Sequence, residues 1–186
     1  MTGIGMTSLP PLPSLQGYPA ELQAQAAALL EAGTLGEMLA AKYPVGHNIH
    51  SNKQLFSYVQ ELKARHLKRA APLAKVSFDS KLSSVHNALG LHMTSSKLQG
   101  SKVQKKREIR IASVFKTAAG DFLRMIVVHE LAHMKHQDHS ADFYKLCCHM
   151  EPEYHQLEFD FRLYLCTIRQ DLIEPTDTSE TPESID

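Results

Sequence analysis

The sequence predicts an α+β fold, and three observations carry that prediction. Helical patterns fill roughly residues 19–69. Three short segments between 73 and 115 are rich in β-branched residues or alternate apolar with polar. From Ala119 the helical pattern returns. Helices, then strands, then helices is the order of an α+β domain, with a small antiparallel sheet of about three strands packed on a buried helix and further helices at both ends.

Taken in order, residues 1–18 are Pro-rich and read as an irregular lead-in. "PAELQAQAAALLEAG" (19–33) opens with Pro19 and closes at Gly33, the usual helix punctuation. "TLGEMLAAKYP" is a second short helix stopped by Pro44. Ser51 followed by Gln54 forms a capping box for a longer helix, Asn52 to Arg69, with Leu55, Phe56, Val59, Leu62 and Leu67 at helical spacing. Pro72 ends it. "LAKVSFD", "LGLHMTSSKL" and "REIRIASVF" are the expected strands. In the last, Ile109, Ile111 and Ser113 share one side, and Glu108, Arg110 and Ala112 the other. "GDFLRMIVVHELAHMKH" is apolar nearly all round, the mark of a central buried helix. Two more helices follow, "SADFYKLCCHM" and "PEYHQLEFDFRLYLCTIRQDL", divided at Pro152.

The chain of 186 residues suffices for one domain, expected over 19–173. Lys plus Arg and Asp plus Glu each number 20, so net charge gives no general pull toward nucleic acid or membrane. The charge is unevenly placed. Residues 174–186 hold five acids and no base, read as a disordered acidic tail, and leave twenty bases against fifteen acids in the rest. Lys102, Lys105, Lys106, Arg107 and Arg110 form a basic run, by default a solvated hairpin but suited to a nucleotide or nucleic-acid phosphate. The N-terminus lacks the charged and apolar regions of a signal peptide, and no apolar run approaches a membrane span. Cys147, Cys148 and Cys166 have no metal-ligand spacing and read as reduced thiols of a cytoplasmic protein.

The chemistry concentrates in "HELAHMKHQDHSADFY". His129, Glu130 and His133 form H-E-x-x-H. On a helix, residues four apart differ by about 40° in azimuth and about 6 Å in rise, so both imidazoles reach one ion. Glu130 lies about 100° round from His129, placed to act on a water without being a ligand. Zinc lowers the pKa of such a water, and a glutamate beside it can serve as general base. Without a metal, two histidines and a glutamate on so apolar a helix would be costly.

The third ligand has several candidates. His136 would share the face only if the helix continues, about 10 Å beyond His129 along the axis, a poor fit to a tetrahedral ion. Asp138 reads most simply as a turn residue. Glu151, Glu153 and Glu158 are remote options. His139 is favoured, because "QDHS" interrupts the apolar pattern and Ser140 can cap the next helix, letting His139 swing back. Among lesser candidates, Tyr154 could stabilise an oxyanion or be a core aromatic. His149 and His155 could support a ligand, and His47, His50, His86 and His92 read as loop or surface residues.

These residues resemble the YgjP-like metallopeptidase family, bacterial proteins related to the SprT-like and WLM zincins. The likeness rests on H-E-L-A-H, five residues, a further histidine and Phe143-Tyr144, with Pro152 and Tyr154 beyond. It extends through "NALGLH" (87–92), "EIRIASVF" (108–115), "FLRMIVVHELAH" and "LCCHMEPEYHQLEFD". The resemblance implies a zincin-like fold, a short sheet on the H-E-x-x-H helix, and zinc on His129, His133 and His139. Many relatives carry Trp-Gly-Ser-Cys before the strand that leads to the motif. This chain has no Trp, and Leu89-Gly90-Leu91-His92 stands near that place.

Three functions follow as expectations. The first is a zinc hydrolase, a metallopeptidase acting on an amide with Glu130 as general base. The second is a metal-dependent nucleoside triphosphate phosphohydrolase, on uridine triphosphate as suggested for relatives. The third is a non-catalytic nucleic-acid-binding protein with structural zinc.

Overall fold

A computed structural model describes residues 12–82 and 107–173, with side chains through 168. In chain order the regular elements are α1 (Ala20–Glu31), α2 (Leu35–Lys42), α3 (Asn52–His66), β1 (Leu73–Asp79), β2 (Arg107–Ala112), α4 (Gly120–Ala132), α5 (Ala141–Met150) and α6 (Tyr154–Ile173). Single 3-10 turns cover Pro13–Leu15, Ser80–Leu82 and Ser113–Lys116. The local signals act as the sequence suggests. Ser51 Oγ accepts from the Gln54 N–H while the Gln54 side chain accepts from the Ser51 N–H, which fixes the start of α3. Gly33 takes a φ of 69° just after α1, a left-handed stop that favours glycine.

The sheet corrects the expectation. Among the described residues it has two strands, β1 and β2, and they run parallel, with Val76 opposite Ile109 and Phe78 opposite Ile111. Alternation reveals which residues share a face but not which way a strand runs. Direction follows from the connection, and residues 80–106 are long enough for the crossover that a parallel pair needs. The expected strand at 89–98 lies outside the described residues, as do His86, His92, Lys102, Lys105 and Lys106.

β1 packs on α3, and β2 on α4. Between them lies the main core: Leu55, Val59 and Leu62 from α3, Val76, Ile109 and Ile111 from the sheet, and most of α4. Helix α6 closes this core. Its Tyr154, Leu157, Phe161 and Leu165 form one apolar stripe against it, while Leu163 and Cys166 lie roughly opposite, against Leu15, Ala26, Leu35 and Leu39. The α1–α2 hairpin thus covers the face of α6 that points away from the stripe holding Tyr154. No helix among the described residues is long and apolar enough to cross a membrane.

One buried carboxylate ties the hairpin down. Asp160, on α6, accepts from Lys42 Nζ at 2.6 Å, Tyr43 Oη at 2.5 Å and Gln156 Nε2 at 3.0 Å. Lys42 is half in solvent, so most of the benefit comes from the phenol and amide. Asp160→Ala should cost about 2 kcal/mol, because it strands the Tyr43 hydroxyl. Urea denaturation checks this, with Asp160→Asn expected to cost less. A loss within error of zero for Asp160→Ala would remove the tether from consideration.

Candidate metal centre

Helix α4 carries His129 and Glu130 near its end, and its last turn is shorter than the apolar pattern suggests. The helix stops at Ala132, with His133 as its C-cap and a turn following. Arg107, the first residue of β2, donates from Nη1 to the His133 carbonyl at 3.2 Å, so the sheet holds the end of the metal-motif helix. Arg107 thus has a partner within the protein. Arg110, likewise, is ion-paired with Asp79.

The chain then reverses. The Ser140 N–H donates to the Asp138 carbonyl at 2.8 Å, a three-residue turn centred on His139. Ser140 Oγ accepts from the Phe143 N–H and starts α5. This turn carries His139 back over α4. Its Nε2 lies 3.2 Å from His129 Nε2, and His133 Nε2 lies 3.1 Å from the same atom. Among the described residues, His129, His133 and His139 are the group whose ligand atoms converge, all within 4.8 Å of one another. Zn–N bonds of about 2.0–2.1 Å at tetrahedral angles put ligand nitrogens about 3.3 Å apart. Three neutral imidazoles are also a donor set that zinc favours. The residues therefore fit a zinc ion.

The other candidates have different employment. The His136 ring is not in the cluster, but its carbonyl lies 2.9 Å from His133 Nδ1 and is an acceptor for it. Asp138 is exposed. Glu151 is buried against Arg124 and accepts the Glu153 N–H. Glu158 pairs with Arg162 at 2.9 Å. His149 meets His66 edge-on, and His155 lies against Tyr144; neither is in the cluster. His47 and His50 contact the Phe115 and Lys116 carbonyls.

Sequence reasoning missed two supports. Phe143, fully buried, contacts all three imidazoles, with ring centroids 5.1, 4.4 and 4.8 Å from His129, His133 and His139. It forms an apolar floor that restricts their rotation. Tyr154 is equally buried, and its hydroxyl lies 2.6 Å from His129 Nδ1. Its presence in the Pro152–Tyr154 part of the family pattern was a signal of place but not of this contact.

The electrostatics suit hydrolysis. Glu130 shows part of its surface, yet its carboxyl sits deep enough that burial pushes it up to about 7. A divalent cation beside it would favour the charged form again. Burial also pushes the Cys147 thiol up to about 12, so it is a packed thiol rather than a nucleophile.

Comparisons with known proteins bear on the family rather than on single residues. Over 151 residues the chain is 52% identical to a protein named UTP pyrophosphatase from Escherichia coli (strain K12), covering 81% of this chain and 90% of that one. No solved structure matches. The family profile of the YgjP-like metallopeptidase domain matches residues 15–162. Family and relative together indicate a metal-dependent hydrolase. The chain belongs to the YgjP-like metallopeptidase domain family.

Proposed function

We propose that the protein is a zinc-dependent hydrolase of nucleoside triphosphates, with His129, His133 and His139 as the metal ligands and Glu130 as general base. The observation that carries the hydrolase reading is the convergence of three imidazole nitrogens at zinc spacing, with Glu130 next in sequence to a ligand. The choice of electrophile is supported by the relative's name, UTP pyrophosphatase, at 52% identity over most of both chains. Bound zinc would supply a lowered pKa for a water and neutralise charge on a substrate oxygen.

The protein's own residues do the rest. His129 and His133, from α4 and its C-cap, and His139, from the turn beyond, would hold the ion. Glu130 takes a proton from the attacking water. The water oxygen bonds to the α-phosphorus, the bridging bond to the β-phosphate breaks, and diphosphate leaves. A second reading, amide hydrolysis, is supported by the H-E-x-x-H motif and the family's metallopeptidase designation. The nucleic-acid-binding reading has weaker support, since Arg107 and Arg110 are engaged internally. A cytoplasmic setting is supported by the free thiols Cys147, Cys148 and Cys166.

The deciding experiment incubates the zinc-loaded protein with UTP and, separately, with an unfolded protein. Release of diphosphate and UMP, absent with Glu130→Gln, is the expected result. Cleavage of the unfolded protein without nucleotide hydrolysis would reverse the order of the two readings.

A further inference from the structure

We infer that Tyr154 is the positioning residue for His129: its hydroxyl fixes the tautomer and ring orientation that let His129 Nε2 face the metal position. The inference rests on the three-histidine metal reading but on neither choice of substrate.

The argument starts from the ring. His129 is 5% exposed, and its Nε2 points toward the corresponding atoms of His133 and His139. A lone pair directed at a cation on that nitrogen places the ring proton on Nδ1. A buried N–H needs an acceptor. Tyr154 Oη, 2.6 Å from Nδ1, is that acceptor. The Tyr154 hydroxyl, accepting there, keeps its own proton.

The two α4 ligands are thus oriented by different means. His133 uses a carbonyl three residues away on the same chain turn, at His136. His129, enclosed in the core, has a partner 25 residues along, at the first position of α6. Docking of α6 onto α4 and preparation of the metal ligand are consequently a single event. Removing only the phenolic oxygen leaves the ring to fill its space, and takes away the acceptor that stands 2.6 Å from His129 Nδ1. The tautomer protonated on Nε2, which cannot bind a cation, then gains population.

The test is zinc affinity, measured by competition with a chromophoric chelator on wild type, Tyr154→Phe and Tyr43→Phe. The last removes a hydroxyl bound to Asp160, away from the site. Tyr154→Phe should bind zinc about 10- to 100-fold more weakly. Tyr43→Phe should match wild type in affinity, although it also loses a partly buried hydrogen bond. Imidazole ¹⁵N NMR of the zinc-loaded wild type should show a slowly exchanging proton on His129 Nδ1. Equal zinc affinity in wild type and Tyr154→Phe would overturn the inference, as would a His129 proton on Nε2 in the loaded wild type, which requires no variant to fold. A wild-type protein that takes up no zinc at all would instead overturn the metal reading beneath it.

Discussion

Glu130→Gln is expected to lower turnover by about 10²- to 10⁴-fold while zinc binding stays at the wild-type level. Glutamine keeps the shape of glutamate but has no basic carboxylate, so it cannot take the proton from the attacking water. Zinc binding is expected to survive because the converging ligand atoms belong to His129, His133 and His139, not to Glu130. Fold stability should survive as well. The wild-type carboxyl is already held up to about 7 by burial, so an amide removes a charge that the site desolvates at some cost. Steady-state kinetics, zinc analysis and thermal melting on the same preparations separate these effects. Full turnover in Glu130→Gln would exclude Glu130 as the base, whichever substrate is used. Loss of zinc in that variant would instead make it part of the ligand set.

The convergence of the three histidines could be expected from local sequence, because its determinants are local. The four-residue spacing of His129 and His133 needs only a helix. The swing of His139 needs only a break in apolar pattern and a cap at Ser140, and both are present. The Ser51–Gln54 box fixes α3 for the same reason. What escaped notice depends on contacts distant in sequence. Ile109 and Ile111 look alike in a parallel or an antiparallel strand, so the direction of β2 could not be read from them. Tyr154 reaches His129 only because α6 folds back along α4. Arg107 looked like one more member of a basic run until β2 brought it to the His133 carbonyl. The end of α4 also differs from the apolar pattern, which continues through Met134 while the helix closes at Ala132. That early closure makes room for the third histidine.

The pair His139→Ala and His136→Ala tests that last point most severely. Both histidines lie just beyond α4, and both were candidates for the third ligand. In the fold, the His139 imidazole sits 3.2 Å from His129 Nε2, whereas His136 supports the site through its backbone carbonyl. His139→Ala should therefore lose nearly all zinc on desalting, since two imidazoles from one helix leave the ion mostly to solvent. His136→Ala retains a carbonyl at the same position and should keep near-stoichiometric zinc, with at most a modest change in affinity. Plasma mass spectrometry of the two variants beside wild type gives the answer before any substrate is known. Zinc lost from His136→Ala and kept in His139→Ala would require α4 to extend through His136, contrary to its closure at Ala132. Zinc kept in both would mean that a group outside the three histidines completes the site. Loss confined to His139→Ala would tie the metal to the turn between α4 and α5. It would also explain why Ser140 must start a new helix there: without that cap, His139 would have no reason to point back.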